Sequence, residues 1–427
     1  MSLLTDTTTG MRLYRSRLRL LRSAMLGDPV ASILGMPRGT DGNARYERLR
    51  EHGELVRGRS GLYMSASHRV CREVLRGKDF GAVPTATAKL RLRPPSWQRG
   101  DLLVHPLDDS FASADPPDHT RLRRIVAPLF TPAAIRERGA FVERVVAEEL
   151  NRLDTREPVD LIGEFAIRVP SRVISEFLGL PPGNHDRYCR WGIEFGAVVD
   201  GAHGPGELRR TRRLLAEMAD HFADLVAERR RAGNKGDDLL SVMIEAADRG
   251  DLTEAGLLAT AEALLIGGFV TTANIIGNAV IALLATPEQR DLFAADTSQA
   301  DRVVEETLRL VAPAQYSVRV AANPVTVGGT QLREGTPVVT LLAAANRDPS
   351  VFPDPGLFDF TRPNVREHLS FAAGVHYCIG AGLARLEGEI ALRALFDRFP
   401  GLTAAGRPEY CPSRVIRGPQ RLLIHPR

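Results

Sequence analysis

Phe371-Ala372-Ala373-Gly374-Val375-His376-Tyr377-Cys378-Ile379-Gly380-Ala381-Gly382-Leu383-Ala384-Arg385 sets one cysteine in a glycine-rich loop that runs straight into an Ala/Leu-rich helix. A thiolate at Cys378 would meet the positive end of that helix dipole and the unbonded N–H groups of its first turn. Such donors lower a thiol's pKa and suit it to hold a metal. Gly374, Gly380 and Gly382 let the backbone bend tightly and lie close to a flat partner. A lone cysteine is most often an inert core residue, so the weight of this reading lies in the whole pattern. The other cysteines, at 71, 189 and 411, show neither disulfide-framework nor zinc-site spacing, which points to a reducing compartment.

Outward from the loop, the 427-residue chain reads as mostly helical. Thr131-Pro132 is a helix start, with Thr131 as N-cap and Pro132 in the first turn. Val142, Val145, Val146, Leu150 and Leu153 continue it at helical spacing. A second long pattern runs from about Glu207 to Arg231. A third opens at Thr253-Glu254 and closes at Thr286-Pro287, long enough to span about 48 Å. Glu262, Asn274, Asn278 and the Gly267-Gly268 pair interrupt its apolar run, which suits a buried core helix better than a membrane span. Period-2 patterns follow at 317–320, 325–327 and 336–342, with Gly328-Gly329 as a hairpin turn. Residues 84–118 are proline-rich and irregular, and the first part reads as a loop over a ligand site.

The formal charge is +4, and lysine occurs only at 78, 89 and 235. No dense basic run interleaved with aromatics appears, so nucleic acid is not an expected partner. The N-terminus lacks the apolar core and cleavage site of a secretory signal. It does carry an amphipathic pattern: Arg12, Arg15, Arg19 and Arg22 share one helical face, and Tyr14, Leu18, Leu21 and Met25 another. We read 1–29 as a basic extension packed on the body, in preference to a membrane-surface helix, and 30–427 as a single domain.

The pattern at Phe371, Gly374, His376, Cys378, Gly380, Leu383, Ala384 and Arg385 closely resembles the haem-thiolate loop of the cytochrome P450 family. The resemblance extends over nearly the whole chain, from about residue 30. It implies a mainly α fold with a small β region, a triangular helical prism. It also implies haem b, with Cys378 as axial thiolate and Phe371, Gly374 and Gly380 around it. Glu306-Thr307-Leu308-Arg309 stands some seventy residues earlier, and Glu and Arg three apart share a helix face. In the family this pair locks with a later arginine, matched here by Arg362. His119 and Arg123, one helical turn apart after Asp115-Pro116-Pro117-Asp118, match the family's propionate-binding helix, and Arg319 and His376 match its other propionate contacts. Arg121 and Arg124 read as a solvated face.

The middle of the long helix, Gly267-Gly268-Phe269-Val270-Thr271-Thr272-Ala273-Asn274, resembles the family's oxygen site. Paired glycines cost about 1 kcal/mol each relative to alanine in a helix and make sense where something must approach the backbone. Thr271 matches the family threonine at the oxygen site, and Gly268 belongs beside it. The preceding residue is usually an acid and here is Val270, which cannot relay a proton. Thr272, Asn274, water or a substrate group would then carry the proton. Otherwise the chemistry would shift toward oxidative coupling, rearrangement or use of peroxide. A non-catalytic haem-binding or sensor protein is the alternative outside enzymes.

The expected substrate wall comprises Trp97, Phe195, Ile266, Phe269, Val270, Ala314 and Val318. It is largely apolar, with Lys89, Arg91, Arg93 and Arg99 in the variable loop. The resemblance implies a cytoplasmic monooxygenase, expected as a monomer, acting on a small molecule in a natural-product tailoring step. It would use O2 and electrons from NAD(P)H, delivered by a ferredoxin and its reductase.

Overall fold

Side-chain caps start many of the helices. In this computed structural model, which describes residues 18–82, 104–200, 205–234 and 236–426, Thr131 Oγ1 accepts from Ala134 N and opens Pro132–Glu137. Asp28 caps Pro29–Leu34, Ser67 caps His68–Arg76 and Asp238 caps Leu239–Asp248. Each offers an oxygen to a first-turn N–H that has no intrahelical acceptor.

The chain forms two compact units from interleaved segments. Among the described residues, the first holds 18–35, 81–82, 104–129, 174–200, 205–234 and 236–267. Its helices include Asp118–Val126, His185–Val199, Pro205–Arg231 and Leu239–Asp248. Tyr188, Trp191, Leu215, Met218 and Phe222 are buried in it.

The second unit holds residues 36–80, 130–173 and 268–427. The helix Ala381–Arg398 packs on Ala300–Leu310 and on Gly139–Asn151. A sheet carries Val56–Arg57, Tyr63–Ser65, Pro337–Thr340 and Ser317–Ala321 side by side. Tyr63–Ser65 runs parallel to Pro337–Thr340, and Ser317–Ala321 antiparallel to it. Gly328 and Gly329 both take positive φ and turn Val325–Val327 into Thr330–Leu332, with Val327 opposite Thr330.

The long helix is Glu254–Ala285, 32 residues. Among the described residues it alone is long and apolar enough to cross a membrane by length and composition. Its apolar window is 72% buried, as in a core helix. Mostly apolar all round, it is mostly buried; near its midpoint Gly267 is exposed and Gly268, Val270 and Thr271 are half-buried.

Four local expectations need correction. The pattern from Pro132 is two helices, not one, because Arg138 leaves helical geometry at φ −87°, ψ −1° and Gly139 restarts the helix. Thr330–Leu332 is a strand that the sequence reading passed over. The strand at 337 ends at Thr340, and Leu342–Ala345 is helical. The helix of residues 18–25 turns Leu20, Ser23 and Ala24 toward the body and leaves Leu18, Leu21 and Met25 exposed, not buried as the packed-helix reading would have them. Arg12, Tyr14 and Arg15, and the loop with Lys89, Arg91, Arg93, Trp97 and Arg99, lie outside the described residues.

Candidate functional site

The loop before Cys378 is held in a shape that few residues tolerate. Ala372 sits at φ +58° and Gly374 at φ +73°. A Cβ on Gly374 would stand 2.4 Å from the Leu75 carbonyl oxygen, so glycine is required there by space as well as by φ. Cys378 N donates to Phe371 O at 3.0 Å and Tyr377 N to Gly374 O at 3.1 Å. These bonds close the loop and leave Cys378 exposed, three residues before the helix Ala381–Arg398 begins. The guanidinium of Arg385 lies 4.5 Å from the Phe371 ring centroid and donates to Tyr377 Oη at 3.0 Å. Phe371 is buried, His376 and Gly380 are half-buried, and a Cβ on Gly380 would meet open space.

Two buried carboxylates on one helix support this loop. Glu306 takes a two-point contact from Arg309, with Nε at 2.6 Å and a terminal nitrogen at 2.7 Å. Arg362 Nε reaches the same carboxylate at 3.2 Å. Arg309 spends its other donors on the carbonyls of Asn346, Pro355 and Leu357. The neighbouring Glu305 meets His368 Nε2 at 2.9 Å and Arg385 Nε. Burial would raise the Glu305 pKa, but the His368 and Arg385 hydrogen bonds outweigh it and bring it down to about 2. Asn346 completes the frame. Its Oδ1 accepts from Leu369 N at 2.6 Å and its Nδ2 donates to Ser370 Oγ at 2.7 Å, while Ser370 Oγ donates to Leu308 O. A continuous hydrogen-bonded path thus runs from Glu306 through Arg309 and Asn346 to the residue before Phe371.

Glu305, His368, Asn346 and Ser370 escaped the sequence reading. One signal was present: Glu305 stands beside Glu306 in a helix otherwise rich in apolar residues, and two adjacent buried carboxylates each need their own cations. The partners themselves lie about 20 to 80 residues away and cannot be read from spacing.

On the long helix the two threonines differ in burial. Thr271 is half-buried, whereas Thr272 is buried and donates from Oγ1 to Gly268 O at 3.1 Å. Asn274 is buried, and its side chain lies on Gly418: a Cβ there would be 2.0 Å from Asn274 Cγ. Thr272 is thus bonded to its own helix, whereas the buried Asn274 has no hydrogen bond from its Nδ2 among the described residues. Val270 is half-buried and Phe269 fully buried, so Phe269 presents its ring to the core. Ala314 and Val318 are half-buried. Arg319 is buried, with a terminal nitrogen at 2.8 Å from Ser317 Oγ and 2.9 Å from Val318 O.

In the first unit, His119 is buried and Arg123 half-buried, one turn apart on Asp118–Val126. Asp115 does not cap this helix through its side chain. Its carboxylate accepts from Ala82 N at 2.8 Å. Arg121 is tied to Asp118 and to the Asp251 carbonyl, and Arg124 is exposed. Phe195 and Ile266 are buried, and Trp97 lies outside the described residues. Glu262 is buried with neither carboxylate oxygen hydrogen-bonded among the described residues. Burial and then Asp109 raise its pKa well above the usual carboxylate value.

Comparison with known proteins settles the family. The family profile described as Cytochrome P450 matches residues 298–422. The putative cytochrome P450 140 of Mycobacterium tuberculosis is 39% identical over 405 residues, covering 92% of this chain and 91% of that protein. The chain belongs to the cytochrome P450 family. This P450 is also 40% identical over 296 residues to the 6-deoxyerythronolide B hydroxylase of Saccharopolyspora erythraea, covering 69% of this chain and 71% of that one. The crystal structure of ligand-free Mycobacterium smegmatis CYP164A2 superposes with a TM-score of 0.82 at 33% identity, over 93% of this chain and 99% of that chain. The P450 is accordingly an oxidoreductase of the monooxygenase type.

The family implies haem, O2 and an external electron donor, and this P450's residues fit that group. Cys378 is exposed at the end of a constrained loop, and its sulfur is the soft ligand that iron in a haem would take. Among the described residues no group of three His, Cys, Asp or Glu is arranged to hold a metal ion by itself. The long helix carries paired glycines at 267–268, and Gly267, Gly268, Val270 and Thr271 are not fully buried.

Proposed function

We propose that the chain is a cytoplasmic haem-thiolate monooxygenase that inserts one atom of O2 into an apolar or partly acidic small molecule, by hydroxylation or epoxidation, in a natural-product tailoring step. The observation that carries this reading is the exposed Cys378 in a loop tied through Asn346 and Arg385 to two buried carboxylates. A thiolate so fixed would hold haem b through its iron, and the bound group would supply the oxygen-activating chemistry. Phe371, Gly374 and Gly380 shape that face. His119, Arg123, Arg319 and His376 supply donors for the haem carboxylates. Glu306, Arg309 and Arg362 hold the loop and touch no substrate.

Thr271 is the residue we assign to the oxygen side, with Gly268 giving close approach. With haem bound, its hydroxyl would hold a water and position a proton on the oxygen side of the site. Thr272, whose hydroxyl donates to Gly268 O, and Asn274, whose Nδ2 is buried without a hydrogen bond among the described residues, are the further candidates to relay a proton. The half-buried Val270, Ala314 and Val318 form the apolar wall that excludes bulk water and sets the substrate's orientation. Ferredoxin and its NAD(P)H-dependent reductase supply the electrons. Similarity to relatives over more than nine-tenths of both chains supports treating residues 30–427 as one catalytic domain.

A second reading has its own support. With Val270 in place of an acid, the residue before Thr271 cannot relay a proton, which favours coupling, rearrangement or peroxide-driven oxidation over rapid hydroxylation. The test begins with small molecules that shift the haem absorption on binding. These are incubated with ferredoxin, reductase, NAD(P)H and isotopically labelled oxygen. Label in the product, reduced at least about tenfold in Thr271→Ala, supports the monooxygenase reading. Unlabelled product formed equally well with peroxide alone overturns it. Val270→Asp should keep or raise labelled turnover, and loss of product with haem intact favours the second reading.

A further inference from the structure

The N-terminal helix presents a face that the catalytic reading does not use. Of nine large hydrophobic residues exposed among the described residues, four fall within residues 18–26: Leu18 at 49%, Leu21 at 38%, Met25 at 88% and Leu26 at 54%. That concentration makes a patch, unlike the scattered single residues found on any surface. Leu18, Leu21 and Met25 recur at helical spacing and form one stripe. Leu20, Ser23 and Ala24 on the other side are half-buried. Leu20 and Leu21 also approach Gly35 at the end of Pro29–Leu34, which anchors the helix while most of the stripe stays open.

Charge selects the occupant. Arg19 and Arg22 flank the stripe, are exposed, and have no ion-pair partner among the described residues. The sequence adds arginines at 12, 15 and 17, and no acidic residue occurs between Asp6 and Asp28. A second copy of this face would bring arginines against arginines. A bilayer of anionic lipid satisfies both features, with headgroups for the guanidinium groups and acyl chains for the stripe. Leu18 to Leu26 covers only about 14 Å along a helix axis, too short to span the hydrocarbon, so the helix would lie in the plane of the interface.

We infer that residues 18–26 dock this P450 peripherally on an anionic lipid surface, through Leu18, Leu21, Met25 and Leu26 with Arg19 and Arg22. Docking would hold the enzyme where apolar small molecules concentrate.

The test is co-sedimentation of the full-length haem-loaded protein with vesicles of phosphatidylglycerol and phosphatidylcholine, or of phosphatidylcholine alone. Binding is expected to the anionic vesicles and to weaken with salt. Arg19→Gln/Arg22→Gln should lower the partition coefficient about 25-fold. Leu18→Ser/Leu21→Ser/Met25→Ser should abolish binding. Both variants should keep wild-type absorption spectra and thermal midpoints. The inference is overturned if wild type ignores anionic vesicles at low salt, or if it binds neutral vesicles equally and the arginine variant changes nothing. It is also overturned if sedimentation shows a dimer that the leucine variant dissolves.

Discussion

Replacing Glu305 by glutamine removes a charge while keeping the shape, and its cost can be worked from the site. Burial opposes the ionised carboxylate, yet His368 and Arg385 bring its pKa down from 4.5 to about 2. That fall corresponds to about 3 kcal/mol favouring the ionised folded form. The Arg385 side chain is 29% exposed, so water screens part of its share and we expect a loss of about 2 kcal/mol. A depressed carboxylate stabilises the fold above its unfolded value of 4.5, and that contribution fades as pH falls toward 2. Glutamine mimics the protonated state. Urea unfolding of both proteins, followed by circular dichroism, should therefore show a gap of about 2 kcal/mol at pH 7 that is unchanged at pH 5 and narrows below about pH 4.5. Arg385, released from Glu305, should also loosen over Phe371 and perturb the haem absorption at neutral pH. A gap that ignores pH, or none at pH 7, would refute the reasoning.

Three further substitutions probe the frame. Arg309→Lys keeps the charge but loses the fork to Glu306 and leaves the carbonyls of Asn346, Pro355 and Leu357 short of donors. It should cost more than about 3 kcal/mol and lower the haem retained per chain, both measurable after purification. Glu387 is fully buried without a hydrogen bond among the described residues, and burial raises its pKa well above 4.5. A raised carboxylate stabilises below its unfolded value and loses that contribution as pH rises. Glu387→Gln should thus match wild type in thermal midpoint at pH 5 and exceed it at pH 8, and a larger deficit at pH 8 would contradict this. Asn346→Ala leaves Leu369 N without its acceptor and should cost about 1–3 kcal/mol in urea unfolding. It should also broaden the haem band.

Much of this was legible in the sequence because it is local. The ends of Glu254–Ala285 follow from Thr253-Glu254 and Thr286-Pro287, and the turn after Val325–Val327 from two glycines. The Cys378 loop was readable because glycine, cysteine and histidine stand close together in sequence. What escaped depends on partners far along the chain. Nothing near Asn346 announces that it spans Leu369, Ser370 and Arg309. The periodicity through Arg138 reads as continuous because apolar spacing does not register one residue leaving helical geometry. The stripe of Leu18, Leu21 and Met25 looks the same in sequence whether it packs inward or faces out. Only the burial of Leu20 and Ala24 beside it decides.

The central claim is that Cys378 supplies the thiolate of a haem site. The most direct measurement is the absorption spectrum of the reduced, carbon-monoxide-treated protein, wild type against Cys378→Ala. We predict the red-shifted band for which the family is named in wild type and its loss in the variant, with the fold retained by circular dichroism. The same band in both proteins, or a wild type that purifies folded and takes up no haem, would contradict the account.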